Sequence, residues 1–403
     1  MADNTDDDSQ DADDESTRSL RRSAKKRVSR AARSNTTARA VSSLEERLAA
    51  FRRERKIGKG TLRDTHVAAY RGYVSDGIAH IRIRVTEMPV VPESTDLVAD
   101  PKVIRTNLRR FVALAFPGVR LRVMLGDQFA DVETDRHGYA TAHLPATGML
   151  PGWHEYHVVT IPDNSDEKPR IAIGEVQLPD PAAPFAVVSD IDDTVLRTGL
   201  TEGLVAVRQT LLGSAATRRE IPGMPLLYQG LATGTGKKPE PSFYYLSTGP
   251  WNLYDVLTEF LEIRGFPKGV LHLTDWGPQE RYVMRSGKEH KRLSLARMFS
   301  AYPKTKFVLI GDSGQNDPYV YVEAAREHPR QVRAIIIIDV GDHMPERAQE
   351  LREWQQELEA EKIPFHFVSD AAEAAKVFVS HRMIKKSVIT EVSDELARRK
   401  NNP

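Results

Sequence analysis

The 403-residue chain contains no cysteine, which excludes disulfide frameworks, thiol nucleophiles and cysteine-bound metals. It also lacks any apolar stretch near the roughly 20 residues that a membrane-spanning helix needs. Its first residues are acidic and polar, without the apolar core of a secretory signal. Net charge is nearly absent as well: 57 basic residues face 56 acidic ones. Total charge therefore selects no class of partner, and only its distribution can. These absences describe an ordinary globular chain, expected in the cytoplasm, with length for two domains and their tails.

The charge is unevenly placed. Residues 1–16 carry eight acids and no base, and residues 17–40 carry nine bases and no acid. Large apolar residues are almost missing from 1–42. Such a segment buries too little surface to offset its ordering entropy and is expected to be disordered. The basic half, 18–39, has two readings. It is either a solubilising tail neutralised by the acidic half, or an arm for an anionic membrane surface, where each base contributes up to about 1 kcal/mol. No aromatics are interleaved for stacking, so nucleic acid is not an expected partner.

Leu44, Leu48 and Phe51 then recur at helical spacing and predict an amphipathic helix over 43–56. From residue 60 to 180 the period changes to two. Ala79–Val85 and Val119–Leu125 alternate apolar with polar residues, 156–161 and 171–178 supply further strands, and Thr134–Gly138 reads as a hairpin connection. Several short strands with turn signals predict an antiparallel β-sandwich over 43–180, led by that helix. His137, His143, His154 and His157 lack ligand spacing. Three prolines in residues 179–184 read as a stiff linker.

Beyond the linker, apolar runs at 185–189, 243–247, 269–273, 306–310 and 332–338 alternate with helical stretches at about 251–264, 288–301 and 317–328. Strand–helix alternation predicts a parallel, doubly wound sheet, and Ile335–Ile338 fits a strand covered on both faces. Residues 195–240 interrupt the alternation and read as a cap over the site. Helices at about 345–361 and 370–381 close the domain at 382, leaving 383–403 as a charged tail.

Four pieces carry chemistry. The first run ends abruptly in Asp190-Ile-Asp192-Asp193-Thr194, at the carboxyl end of a strand, where open α/β sheets bind ligands. Carboxylates this dense repel one another and call for a cation. Oxygen-only donors suit Mg²⁺, which keeps waters and substrate phosphate in its remaining positions. The second is Phe243-Tyr-Tyr-Leu-Ser247-Thr248-Gly249-Pro250-Trp251, a strand ending in hydroxyls just before a helix. Hydroxyl and N–H groups at such a junction hold phosphate oxygens, or Ser247 or Thr248 simply caps the helix. The third is Lys288-Glu-His-Lys291 at a helix start, and the fourth is Phe307-Val-Leu-Ile-Gly311-Asp312 with Asp317 five residues on.

In this order the pieces resemble the haloacid-dehalogenase-type phosphotransferases. More narrowly, they resemble the Mg²⁺-dependent phosphatidate phosphatases related to the fungal actin-patch enzyme, over about 184–345. The resemblance implies an α/β fold: a Rossmannoid parallel-sheet catalytic domain over 184–382, preceded by the β-sandwich. It implies phosphate monoester hydrolysis with Asp190 as nucleophile through an aspartyl-phosphate and Asp192 as acid and base. It places phosphate on Ser247 and Thr248, and Mg²⁺ on Asp190, Asp312 and the Asp192 carbonyl. Asp317 would act through water or by positioning the lysine. The family pattern aligns with Lys291, with Lys288 one turn away as the alternative. Gly249 stands where relatives often carry a second serine. His272, Asp275 and Trp276 also match, in a stretch whose chemistry is not evident. The implied substrate is phosphatidate and the product diacylglycerol. Two alternatives are a phosphatase for a soluble phosphomonoester or phosphoprotein, and a non-catalytic binding protein that uses the β-sandwich.

Overall fold

The computed structural model describes residues 65–87, 114–162, 168–195, 220–236, 239–274, 287–341 and 345–401. All of them lie in one compact unit, Arg63–Asp275 with Ser286–Pro403. The expected disordered tail and the 43–56 helix lie outside the described residues. So do 196–219, where most of the expected cap falls, and Asp275 and Trp276.

The protein is mixed α/β. One sheet has eight strands: β1 (Thr65–Ala69), β2 (Gly72–Ser75), β3 (Ile78–Glu87), β4 (Arg120–Leu125), β5 (Gln128–Glu133), β6 (Tyr139–Pro145), β7 (Gly152–Thr160) and β8 (Ile171–Leu178). Their order is β1-β3-β2-β8-β7-β4-β5, with β6 also on β3. Every pairing is antiparallel except β2 with β8. Alternation sets the faces: Ala79, Ile81, Ile83 and Val85 of β3 are buried with Leu121, Val123 and Val158, while His80, Arg82 and Arg84 point the other way. Thr134–Gly138 forms a tight turn, with the Gly138 N–H donating to the Asp135 carbonyl, but it does not join ladder partners. Its flanking strands pair elsewhere, β5 with β4 and β6 with β3, so it carries the chain from one strand pair to another.

The second sheet is parallel throughout: β9 (Ala186–Asp190), β10 (Phe243–Pro250), β11 (Val270–Thr274), β12 (Phe307–Asp312), β13 (Val332–Ile338) and β14 (Phe365–Val368), in the order β11-β10-β9-β12-β13-β14. Its apolar runs are continuous because both faces are covered. Val187, Tyr245, Val308 and Ile336 enter one core, and Val188, Tyr244, Leu309 and Ile337 enter the other. The first core is closed by α1 (Met224–Thr233), α2 (Tyr254–Ile263), α6 (Ala371–Ser380) and α7 (Ser387–Asn401). The second is closed by α3 (Gly287–Ala301), α4 (Asp317–Glu327) and α5 (Pro345–Ala360).

Three details depart from the sequence reading. The described end of the expected cap is α1, with Met224, Leu227, Tyr228 and Leu231 fully buried in the first core. The expected charged tail is instead the helix α7, whose Val388 and Val392 join that core together with Met383 and Ile384. Ile389 and Leu396 add to this stripe, and Arg398, Arg399 and Lys400 at the end of the helix hide it from a count of charges. Strand β14 carries no sequence signal, since four residues with a histidine among them are too short to show a period.

The two sheets meet through aromatic side chains. Tyr70 stacks on Trp251 at 5.1 Å and packs on Tyr254 at 4.3 Å between ring centroids. The Arg71 N–H donates to the Tyr254 hydroxyl at 2.7 Å, and the Tyr302 hydroxyl donates to the Val74 carbonyl at 2.9 Å.

Candidate active site

Three neighbouring strands end at one place. Strand β9 lies between β10 and β12, so Asp190, Ser247 and Asp312 come together at the carboxyl edge of the sheet. Asp190 and Asp312 are completely buried, and Asp317, the first residue of α4, is buried beside them. Carboxylate oxygens of these three acids lie within 4.8 Å of one another. Asp317 reaches the group because residue 311 is glycine. A Cβ there would stand 2.6 Å from the Asp317 Cβ and 2.7 Å from its Oδ2.

Of the two candidate lysines, only Lys291 enters. It is 2% exposed, with Nζ 2.7 Å from Asp190 Oδ1 and 2.5 Å from Asp317 Oδ1. Lys288 lies one turn earlier on α3 and is exposed. Helix α3 comes close through Gly287, where a Cβ would meet the Thr248 methyl at 2.7 Å. The remaining Asp317 oxygen accepts from the Asp312 N–H at 3.3 Å, so Asp317 links the lysine to the end of β12.

Asp192 stands slightly apart. Its carboxylate is not in the close group of three, and its Oδ2 accepts from the Ser247 hydroxyl at 2.9 Å. Ser247 in turn accepts from the Gly249 N–H at 2.9 Å. The hydroxyl expected to hold phosphate therefore also orients Asp192, a link between strands that spacing along the chain does not reveal. Thr248 is half-buried on the same turn, and its carbonyl accepts from the Thr274 hydroxyl. Asp193 adopts the left-handed region at φ 55°, turning the chain away after Asp192. Behind β9, Tyr228 and Ser189 share a 2.6 Å hydrogen bond, and the Ser189 hydroxyl donates to the Asp190 carbonyl. Neither residue stood out in the sequence.

Electrostatics follow from burial. Four aspartates and one ammonium are buried together. Burial, then Asp317, pushes the Asp190 carboxyl well above the ordinary carboxylate range despite Lys291. Burial raises Asp192 as well, with the Ser247 hydrogen bond opposing, and burial followed by Asp317 raises Asp312. Burial works against the Lys291 ammonium, but Asp190, Asp317 and Asp312 outweigh it and keep the lysine charged. Asp312 Oδ1 accepts from the Gly314 and Gln315 N–H groups at 2.7 and 2.9 Å. Its Oδ2 and the Asp190 Oδ2 are buried and accept no hydrogen bond. Two orphaned carboxylate oxygens, excess negative charge and an all-oxygen donor set fit a hard divalent cation.

Comparison with known proteins now bears on this edge of the sheet. Residues 185–339 match the family model described as phosphatidate phosphatase APP1, catalytic domain. This stretch is related to that family. The phosphatidate phosphatase APP1 of Saccharomyces cerevisiae is 30% identical over 154 residues, 38% of this chain and 25% of that protein. An uncharacterised Schizosaccharomyces pombe protein is 28% identical over 157 residues, 39% of this chain and 25% of its own length. The chain thus spans about a quarter of the length of these curated relatives. Among solved structures, a carbohydrate acetylesterase from Xanthomonas citri aligns with 67% of this chain and 66% of its own at 9% identity. Its TM-score of 0.24 carries no argument about fold or activity. All four motif pieces lie inside the matched segment. No described helix is long and apolar enough to cross a membrane.

Proposed function

We propose that the chain is a Mg²⁺-dependent phosphatase that hydrolyses phosphatidate to diacylglycerol through an aspartyl-phosphate on Asp190. The observation that carries this reading is the buried group of Asp190, Asp312 and Asp317 around Lys291, inside the segment that matches a phosphatidate phosphatase catalytic domain. A cation held by Asp190, Asp312 and the Asp192 carbonyl would supply charge neutralisation for the phosphoryl group. Asp190 forms the bond to phosphorus as the ester P–O bond breaks, and Asp192 gives its proton to the leaving alkoxide. Water then attacks phosphorus with Asp192 taking its proton, and the bond to Asp190 breaks. An Asp192 pKa raised by burial suits the donor step, and the Ser247 hydrogen bond aims its carboxyl. Lys291 offsets charge on Asp190 and the phosphoryl oxygens, Asp317 holds Lys291 in place, and Ser247 and Thr248 line the phosphate.

The same reading takes the parallel-sheet region from 184 through α7 as a haloacid-dehalogenase-like Rossmannoid domain, and 43–180 as a β-sandwich. It also gives 18–39 a peripheral contact with anionic membrane in the cytoplasm. The test is phosphate release from phosphatidate in mixed micelles, with and without Mg²⁺, beside a soluble aryl phosphate, with Asp190→Asn as control. Metal-dependent release from the lipid that disappears in the variant is the expected result. Release from the aryl ester alone would keep the chemistry and discard the lipid. Release from neither would leave a binding protein.

A further inference from the structure

The loop between Asp312 and Asp317 consists of Ser313, Gly314, Gln315 and Asn316, with no apolar side chain to anchor it. It is held from outside. Arg347, in the first turn of α5, donates from Nε to the Ser313 carbonyl at 2.5 Å and from Nη2 to the Gln315 carbonyl. Its Nη1 lies 3.4 Å from the Tyr319 hydroxyl, and the guanidinium carbon sits 5.2 Å from the Tyr319 ring centre. Tyr319 is itself fixed by donating to the Glu350 carboxylate. A planar guanidinium has donors spaced to span two carbonyls in one rigid plane, whereas an ammonium on a flexible stem does not.

The inner face of this loop faces the acids. The Gly314 and Gln315 N–H groups take up Asp312 Oδ1, and the Gln315 amide nitrogen lies 3.4 Å from the Asp192 carbonyl. With Oδ1 engaged, Oδ2 is the Asp312 oxygen left without a hydrogen bond. The Ser313 carbonyl that Arg347 grips shares a peptide plane with the Gly314 N–H, and its second grip, on the Gln315 carbonyl, anchors the residue whose own N–H makes the other hydrogen bond to Asp312.

We infer that Arg347 is a positioning residue for the cation site: by clamping Ser313 and Gln315 it holds Asp312 with one oxygen free for a divalent ion. This rests on the Mg²⁺ reading of the site. Residue 347 lies beyond the segment matched by the family model, which ends at 339. The second α5 contact, through Tyr319, makes the clamp an attachment between two helices and the loop rather than a lone surface arginine.

The test uses the full chain with Arg347→Lys and Arg347→Gln. Titration calorimetry gives the Mg²⁺ dissociation constant, and amide hydrogen exchange of the metal-free protein reports on Gly314 and Gln315. The inference expects Mg²⁺ to bind at least about tenfold more weakly in both variants, with Lys failing despite its charge. Exchange at Gly314 and Gln315 should quicken while β9 and β13 keep parent protection, and KM for an aryl phosphate at saturating Mg²⁺ should stay near the parent value. Parent-like Mg²⁺ affinity in either variant, or unchanged exchange at the two amides, would overturn it. If the parent chain itself binds no Mg²⁺, the phosphatase reading fails, and the exchange measurement still decides whether Arg347 holds the loop.

Discussion

Replacing Lys291 with methionine keeps the length of the side chain and removes its charge. In the native site the ammonium touches Asp190 at 2.7 Å and Asp317 at 2.5 Å, with 2% of its side chain exposed. Stripping one partner from a buried ion pair costs about 3–5 kcal/mol, because the other charge stays buried and unpaired. Protonation of Asp190, whose pKa burial already raises, relieves part of the cost to folding. A protonated carboxyl is no nucleophile, however, so the loss falls on the reaction. At about 1.4 kcal/mol per tenfold, the expected drop in kcat/KM is roughly 10²- to 10⁴-fold. Lys288→Met removes an exposed charge one helical turn away and should leave kcat/KM within about twofold, since exposed ion pairs contribute only about 0–1 kcal/mol. Both variants can be assayed on phosphatidate micelles and on an aryl phosphate, with unfolding curves to confirm folding. If Lys291→Met keeps activity within tenfold of the parent, or Lys288→Met falls as far, the reasoning is wrong.

Three further outcomes follow from burial and close approach. Asp190, Asp192 and Asp312 have raised pKa values and so bind more protons folded than unfolded. Their contribution to stability is present below the ordinary carboxylate value near ~4 and is lost as pH rises through the folded values. Relative to an Asp312→Asn variant, the metal-free parent should therefore lose Tm as pH is raised, and Mg²⁺ should restore most at the alkaline end; a pH-independent difference in melting would refute this. Gly311→Ala sets a Cβ 2.6 Å from Asp317 and should cost about 1–3 kcal/mol in chemical denaturation, with activity falling as Asp317 moves. Val392→Ala, at a fully buried position of α7, should destabilise by about 2 kcal/mol in urea unfolding, whereas a peripheral tail would show no change.

Much of the sheet and the site was readable along the chain. The runs at 185–189, 306–310 and 332–338 announced buried parallel strands, and the acids that end them announced the reactive edge. Side-chain alternation and the β-to-loop transition are local properties, so residues a few positions apart are bound by covalent geometry. That is why Asp190, Asp192, Ser247, Asp312 and Asp317 could all be named from the sequence.

Everything that depended on which helix face or loop plane turns inward was settled by packing. In sequence only the family resemblance favours Lys291 over Lys288; the approach of α3 at Gly287 buries Lys291 and leaves Lys288 exposed. The Ser247–Asp192 contact spans 55 residues, and the Arg347 grip on Ser313 spans 34, separations over which spacing predicts nothing. The four buried side chains that tie residues 383–392 to the core sit in a stretch, 383–403, that also carries eight charged residues, so composition alone reads it as a polar tail. Local periodicity therefore determined where the carboxylates end their strands, and only the tertiary structure decided which cation meets them, which hydroxyl aims Asp192 and which arginine holds the loop, because those contacts exist only once distant segments are packed together.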